Sequence, residues 1–255
     1  MVSCYKEKQC ACGDFLYVQV YKTFGKTGQR RSRFKVTSEV QEMLNAKHRR
    51  LRLEMLIHEN FTSRDMAVHL TYADGNEPAD AERAKKDIQN FLKKLKRRYT
   101  AKGKVLKYIW VCECGKKSGR IHFHVLLSEG VSRDEIESLW AFGYANTKRL
   151  HFNENGLAGL STYITKQPLL FKSWSASRNL DKVQEVVKNS SFSQKALKDI
   201  VEQDNILSFC SRYEGYAVSD FEAISNSNNG GFYIYARLYK TSAFGNVFEQ
   251  RRNGG

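Results

Sequence analysis

Two histidines, one residue apart in an alternating stretch, are the side chains of this sequence best suited to chemistry. They lie in "RIHFHVLLS", where His122 and His124 alternate with apolar residues. Because successive side chains of a β-strand point to opposite faces, both imidazoles are expected on one face of a sheet. The spacing therefore predicts two nitrogen ligands side by side, with Phe123 and its apolar neighbours filling the core on the other face.

A carboxylate precedes these histidines in a second strand-like stretch. Glu113 ends "VLKYIWVCE", and the Gly- and Lys-rich connection "CGKKSG" predicts a hairpin between the two strands. If the strands pair through this loop, Glu113 lies beside His122 and His124. Two imidazoles and one carboxylate would leave coordination positions open, as a catalytic divalent ion requires. The role of Glu113 depends on the register of the hairpin, and histidines packed into a core are the alternative.

The other histidines have fewer chemically useful neighbours in the sequence. His69 lies in the strand-like stretch "MAVHLTY", and it can be a substitute ligand, a substrate contact or a core residue. His58 and His151 have no comparable neighbours.

A candidate nucleophile follows in "GLSTYITKQ", which predicts a short helix before Pro168. Tyr163 and Lys166 are three residues apart and share a face of that helix. A neighbouring cation favours the deprotonated phenol, and a divalent ion bound to a phosphate makes the phosphorus more electrophilic. Taken alone, this pair is equally compatible with two surface residues of a helix.

The charge of the chain favours a polyanionic partner. The 255 residues include 42 Lys+Arg and 27 Asp+Glu, which gives a formal net charge of +15. Clustered cations attract phosphates, whereas a membrane is a weaker alternative because no apolar run reaches a spanning length. The candidate DNA contacts are Lys93, Lys94, Lys96, Arg97, Arg98, Lys116, Lys117 and Arg120.

The predicted elements follow the order β-α-β-β-α-β-α, which is not that of a doubly wound sheet. We therefore predict an α+β fold with a central antiparallel sheet and flanking helices. Residues 1–61 form an N-terminal extension with a strand and a basic helix, and residues 62–175 form the catalytic core. Residues 176–255 form a C-terminal extension, in which "NLDKVQEVVK" and "SQKALKDIVEQ" predict helices, followed by a β-hairpin and a disordered tail.

The six cysteines and the N-terminus indicate a reducing compartment. The N-terminal stretch is polar and has no apolar signal-peptide centre, so a cytoplasmic location in a bacterial host is expected. Cys4, Cys10 and Cys12 can contribute to a zinc site, although no CxxC pair and no obvious fourth ligand accompany them. Cys112 and Cys114 flank Glu113 and are expected to pack in the core.

The order of these motifs resembles that of the HUH endonucleases, the rolling-circle replication initiators. "HLTY" with a polar turn and Pro78, then the glutamate, "HFH" and "YITK" match the three motifs of that family. The surrounding sequence is similar to initiators related to the filamentous-phage nicking protein. The resemblance covers roughly residues 45–180, and the histidine motif precedes the tyrosine, as it does in initiators.

The resemblance implies a ferredoxin-like or RRM-like palm and a role for each motif residue. Glu113, His122 and His124 would bind Mg²⁺ or Mn²⁺, Tyr163 would be the nucleophile, and Lys166 would orient the tyrosine or contact the scissile phosphate. Residues one helical turn away from the tyrosine are not tyrosines. A single nick per active site is therefore expected.

The implied substrate is single-stranded DNA at an origin, extruded as a hairpin. Cleavage would leave a 5′-phosphotyrosine and a free 3′-OH that primes synthesis on a phage, plasmid or mobile element. Because the chain contains no P-loop pattern, a host helicase and polymerase are expected partners, with no membrane and no small molecule.

Two other functions stay open from the sequence. One is a metal-dependent phosphoesterase that uses water in place of the tyrosine. The other is a non-catalytic DNA-binding protein. In the latter, "GFYIYARLYK" would stack bases on Tyr233, Tyr235 and Tyr239 with Arg237 nearby, unless it is an ordinary amphipathic strand.

Overall fold

The protein has an α+β fold with two five-stranded antiparallel sheets and flanking helices, as predicted. The computed structural model describes residues 4–23, 38–115, 119–157, 174–189, 191–203, 205–226 and 231–244. The chain divides into two compact units: Met1–Asn45 with Asn153–Gly156 and Lys182–Gly255, and Ala46–Phe152 with Leu157–Asp181. These units are defined by packing, and the three functional regions expected from the sequence stay a prediction.

The elements are numbered here in chain order. They are β1 (Cys4–Cys12), β2 (Phe15–Thr23), α1 (Ser38–Asn60), β3 (Met66–Tyr72), α2 (Ala81–Ala101), β4 (Tyr108–Cys114), β5 (Ile121–Leu127), α3 (Arg133–Ser138), β6 (Gly143–Arg149), β7 (Ser175–Ala176), β8 (Val186–Asn189), α4 (Gln194–Glu202), α5 (Ile206–Cys210), β9 (Tyr216–Asn226), β10 (Gly231–Lys240) and α6 (Thr241–Phe244).

The sheet of the second unit places the histidine strand at its centre. The strand order is β6-β3-β5-β4-β7, so β5 is flanked by β3 and β4. The β4–β5 pair forms the predicted hairpin, and β3 spans the predicted residues. Side chains of these strands alternate between two buried faces, each covered by a helix.

Helix α2 covers one face of this sheet. Its buried stripe includes Ile88, Phe91 and Leu95, which pack with Phe123 and Trp110 in the largest apolar cluster of the unit. The helix begins later than Pro78 predicts, because the side chain of Asp80 accepts a hydrogen bond from the Arg83 backbone N–H and caps the N-terminus.

Helix α1 contributes the cluster on the opposite face. Leu53 and Ile57, one helical turn apart, are fully buried with Ile109, Val111 and Leu126 of the sheet. The predicted stripe through Leu51 and Leu56 was wrong, since both are only half-buried. The basic side chains around that stripe had obscured which apolar residues face the sheet.

The sheet of the first unit has the order β8-β1-β2-β10-β9. Strands β2, β9 and β10 and helix α4 confirm the prediction. Strand β1 was not predicted; it pairs with β2 through a two-residue turn at Gly13, whose φ of 58° suits glycine. Its apolar core includes Val18, Ile234 and Leu238, with Leu197 of α4.

The prediction of a helix in "NLDKVQEVVK" was wrong. Val186–Asn189 form the edge strand β8, which pairs with β1. Two consecutive β-branched valines fit a strand, and the free edge of β1 offers the hydrogen-bonding partners that a short isolated helix lacks.

The cysteines occupy mixed environments. Cys10 and Cys12 are buried with reduced thiols, and Cys112 packs in the α2-face core as predicted. Cys114 corrects the prediction, because it is exposed at the end of β4, where its thiol donates to the Gly119 carbonyl at 3.0 Å. Among the helices of the described ranges, none is both long and apolar enough for a membrane span.

Candidate functional site

Strand β5 projects its two histidines from the face of the sheet that also carries the α1 cluster. Phe123 and Val125 alternate with them and point into the α2-face core. His122 and His124 retain 13% and 18% of their side-chain exposure. The alternation thus separates a polar pair from the apolar packing that fixes the strand.

The hairpin register brings Glu113 to this pair. Glu113 lies directly opposite His122 in the β4–β5 ladder. Its Oε2 atom is 3.4 Å from Nε2 of His122 and 3.6 Å from Nε2 of His124. Three side chains singled out from the sequence therefore converge on one face.

Strand β3 adds a third histidine from the other side. His69 lies opposite His124 in the β3–β5 ladder, and their rings stack with centroids 4.8 Å apart. The His69 ring also meets the edge of His122 at 5.2 Å. The candidate ligand atoms of the three histidines lie within 4.8 Å of one another, and this group could hold a metal ion.

Burial keeps these imidazoles suited to metal binding. Burial, together with His69 and His122, lowers the pKa of His124 to about 4, and burial and then His122 lower the pKa of His69. Both rings are therefore neutral at neutral pH and offer a lone pair.

The carboxylate of Glu113 also fits a cation. Burial raises the pKa of Glu113, against the opposing effect of His122. Its Oε1 atom is buried and has no hydrogen-bond partner in the described part of the chain. A buried carboxylate oxygen without a partner is costly, and a divalent ion would compensate it. The donor set thus fits the metal that the motifs imply.

The edge strand β6 extends the polar face, which the sequence had not revealed. Asn146 lies opposite His69, and Lys148 lies opposite Ala67. Both line a cavity of about 350 Å³ beside His69 and His124. Tyr144, two residues before Asn146, is 73% exposed. These residues alternate along β6, but only the pairing with β3 reveals that they share the histidine face.

The predicted nucleophile lies outside the described residues. Tyr163 and Lys166 fall within residues 158–173, and Lys116 and Lys117 fall within residues 116–118. Leu157 and Trp174, which flank the first range, both pack in the α1-face cluster with Val111 and Leu126.

His58 anchors one of these flanks, although the sequence gave it no neighbours. Its side chain is buried near the end of α1, and its Nε2 atom accepts a hydrogen bond from the Leu157 backbone N–H at 2.9 Å. Because Nε2 is the acceptor, the neutral ring carries its proton on Nδ1. The histidine therefore satisfies a buried amide just before residue 158.

We expect His58→Ala to destabilise the protein by about 1–3 kcal/mol, since the buried Leu157 amide would lose its acceptor. Chemical denaturation of the metal-free protein measures this change. His48→Ala, at an exposed position of the same helix, is the matched control and should change stability by less than about 0.5 kcal/mol. Equal effects of the two substitutions would contradict this role for His58.

The basic residues of α2 lie away from the histidines. Lys93 and Lys96 line a groove of about 1060 Å³ on the α2 side of the sheet, together with Lys85, Lys104 and Arg178. Lys94, Arg97 and Arg98 are exposed on the same helix. Arg120 is engaged otherwise, because its guanidinium contacts Asp74 and lies 3.9 Å from Glu77.

The aromatic strand β10 offers a smaller stacking surface than the sequence suggested. Tyr239 and Arg237 are buried, and Arg237 Nε donates to Ser219 Oγ at 2.9 Å. Only Tyr233 and Tyr235 of the proposed set are half-exposed. Base stacking on Tyr239 is therefore excluded in this conformation.

Comparison with known proteins identifies one family. Searches of curated proteins and of solved structures gave no significant match. One family model matches a range that includes β3 to β6, the histidines, Glu113, Tyr163 and Lys166. This match supports a role in DNA replication. The family is that of the replication-associated protein ORF2/gene II protein, and its match to residues 65–168 confirms the resemblance to replication initiators that the motifs predict.

Proposed function

We propose that this protein is a site-specific endonuclease that nicks and rejoins single-stranded DNA to initiate rolling-circle replication. The observation that carries the proposal is the convergence of Glu113, His122 and His124 on one sheet face. This convergence lies within a segment that matches a family of replication-associated proteins. A structural role alone would not require a carboxylate and two imidazoles to face each other in a partly exposed position.

Glu113, His122 and His124 would hold a divalent ion, for which the sequence suggests Mg²⁺ or Mn²⁺. When bound, such an ion supplies positive charge that polarises a phosphate. The neutral state of His124 leaves its lone pair available for binding. The polar face around it, with Asn146 and Lys148, would orient the DNA strand.

Tyr163 would attack the scissile phosphorus. A bond forms between its phenolic oxygen and phosphorus, the bond from phosphorus to the 3′-oxygen breaks, and the phenolic proton leaves with solvent. The products are a 5′-phosphotyrosine and a free 3′-OH, and attack by a 3′-OH reverses the step. Lys166, three residues on, would favour the phenolate or contact the phosphate.

The packing of the flanking residues supports this role for Tyr163. Leu157 and Trp174 both lie in the α1-face cluster, on the face of the sheet that carries the histidines. Tyr163 is six residues from Leu157, a separation that can span at most about 20 Å. A nucleophile in this range is within reach of the metal-binding residues.

Single-stranded DNA would contact the protein on two surfaces. On the histidine face, Tyr144 offers an exposed ring for base stacking beside Asn146 and Lys148. On the α2 side, the groove lined by Lys93 and Lys96 concentrates positive charge. Such a groove would hold a flanking part of the strand through its phosphates.

We expect Lys93→Glu/Lys96→Glu to weaken binding of origin DNA by about 10- to 100-fold at moderate salt, since two phosphate contacts become repulsive. Fluorescence anisotropy over a salt series measures both affinity and salt dependence. Lys188→Glu/Lys195→Glu makes the same charge change at exposed positions of the other unit. If both variants weaken binding equally, net charge rather than the groove is responsible.

The proposed function is tested by incubating the protein with origin-containing single-stranded DNA and Mn²⁺. The expected product is a protein–DNA adduct that survives denaturation and fails to form when a chelator is present. Cleavage without an adduct would instead favour a phosphoesterase that uses water. DNA binding unchanged by the chelator, with no cleavage, would favour a non-catalytic DNA-binding protein.

The nick would serve replication of a phage, plasmid or mobile element in the cytoplasm of a bacterial host. The free 3′-OH needs a polymerase, and displacement of the parental strand needs a helicase. Since the chain has no P-loop pattern, we propose that the host supplies both activities.

A further inference from the structure

The polar face around the histidines is built from three adjacent strands. One row across the sheet runs Tyr144, Thr71, His122, Glu113, and the next runs Asn146, His69, His124, Val111. His69 is thus the neighbour of His124 on the side opposite to Glu113. The motif order in the sequence gives no indication of this position, because β3 lies about fifty residues before β5.

We propose that His69 is a ligand of the ion held by His122 and His124, and that this nitrogen-rich site selects a transition-metal ion over Mg²⁺. The proposal rests on the proposed function, since it concerns the same metal site. It adds a ligand on the first motif strand and commits the site to a class of metal that includes Mn²⁺, Co²⁺ and Zn²⁺.

The geometry supports His69 as a ligand. Its candidate ligand atom lies within 4.8 Å of those of His122 and His124. Nitrogen ligands about 2.0–2.1 Å from a tetrahedral ion lie roughly 3.3 Å apart. Side-chain rotation can close this difference while the ladder of β3 and β5 keeps its register.

The surroundings of His69 argue against a purely structural role. It is half-buried rather than enclosed, and its ring contacts are two other histidines. It also lines the cavity shared with His124, Asn146 and Lys148. A packing residue at this position would gain more from an apolar side chain, whereas three imidazoles around one point share a use as ligands.

The donor chemistry then determines the metal class. Mg²⁺ prefers oxygen ligands in near-ideal octahedral geometry and retains several waters. Imidazole suits transition-metal ions, whose affinities for such sites rise from Mn²⁺ through Co²⁺. With His69, His122 and His124 as ligands, and Glu113 as an oxygen donor, we expect Co²⁺ and Zn²⁺ to bind more tightly than Mn²⁺, and Mg²⁺ to bind most weakly.

The test is metal binding by the full-length, metal-free protein without DNA. Co²⁺ titration followed by its visible absorption reports both affinity and ligand field, and Mn²⁺ and Mg²⁺ are then added as competitors. We expect a hundredfold excess of Mg²⁺ to leave Co²⁺ bound. Displacement by Mg²⁺ at concentrations similar to that of Co²⁺ would overturn the metal preference, and this measurement on the unmodified chain does not depend on how any variant folds.

The role of His69 is tested by His69→Ala, which should weaken Co²⁺ binding by about 10- to 100-fold and change its absorption spectrum. His69→Gln, closer in size, should give a similar loss and guards against a packing defect. His151→Ala, at an exposed histidine of the same unit, is the control. An unchanged affinity and spectrum in a folded His69 variant would overturn the assignment.

These results are separable from the test of the nickase. Tight Co²⁺ binding through His69 without any DNA adduct would support this ligand and count against the proposed nuclease. Adduct formation with a spectrum indifferent to His69 would do the reverse.

Discussion

Tyr163→Phe is expected to abolish the covalent protein–DNA adduct and to reduce nicking by on the order of 10³-fold or more. The substitution removes a single oxygen atom, the one proposed to bond to phosphorus. It leaves the ring, the metal-binding residues and the basic groove in place. Binding of Co²⁺ and of origin DNA should therefore remain close to those of the unmodified protein.

The measurement separates the tyrosine mechanism from its alternatives. Labelled origin DNA is incubated with each variant and Mn²⁺, denatured and resolved, so that adduct and nicked strand are quantified together. A water-using phosphoesterase would retain nicking in Tyr163→Phe and form no adduct in any variant. Retention of both nicking and adduct would assign the covalent bond to a different residue.

Tyr144→Phe is the matched control for this experiment. Tyr144 is the exposed tyrosine that β6 places on the histidine face. Phenylalanine keeps the ring for stacking and removes the hydroxyl, so adduct formation should persist. An adduct lost in Tyr144→Phe and kept in Tyr163→Phe would reverse the assignment of the nucleophile.

Local patterns predicted much of the polar site because the relevant geometry is local. The alternation in β5 is sufficient to place His122 and His124 on one face, and a short hairpin loop limits where Glu113 can pair. The observed register joins Glu113 directly to His122. This contact was conditional in the sequence, because a shift of one residue would have turned the glutamate to the other face.

The contribution of His69 could not be derived in the same way. Its position beside His124 depends on the pairing of β3 with β5, two strands separated by α2 and β4. No local signal fixes that pairing or its register. The same reasoning explains Tyr144, Asn146 and Lys148, whose relation to the site is visible only once β6 pairs with β3.

The errors in the predicted fold have a related cause. Val186–Asn189 were expected to be helical, and the pattern of apolar residues permitted it, but the edge of β1 provided a partner distant in sequence. In α1, several apolar stripes were compatible with the periodicity, and the sheet face selected the one through Leu53 and Ile57. Tertiary contacts decided between alternatives that local propensity left nearly equal.

His122→Ala/His124→Ala is the substitution with the second large expected effect. It removes two donors common to both possible third ligands, Glu113 and His69, and thereby tests the metal site whichever of them binds. We expect Co²⁺ binding to be lost and nicking to fall by on the order of 10³-fold or more, because no ion would then polarise the phosphate. Isothermal titration with Co²⁺ and the adduct assay measure the two losses.

Binding of origin DNA separates loss of the metal from loss of the fold. The basic groove with Lys93 and Lys96 lies on the α2 side of the sheet, and Phe123 and Val125 between and beside the histidines keep their packing there. The double variant should therefore bind DNA within a few-fold of the unmodified protein and show an unchanged circular dichroism spectrum, with loss confined to metal binding and cleavage. Nicking that survives in a folded protein unable to bind Co²⁺ would contradict a metal-dependent mechanism, because cleavage would then proceed without the ion that these residues are proposed to hold.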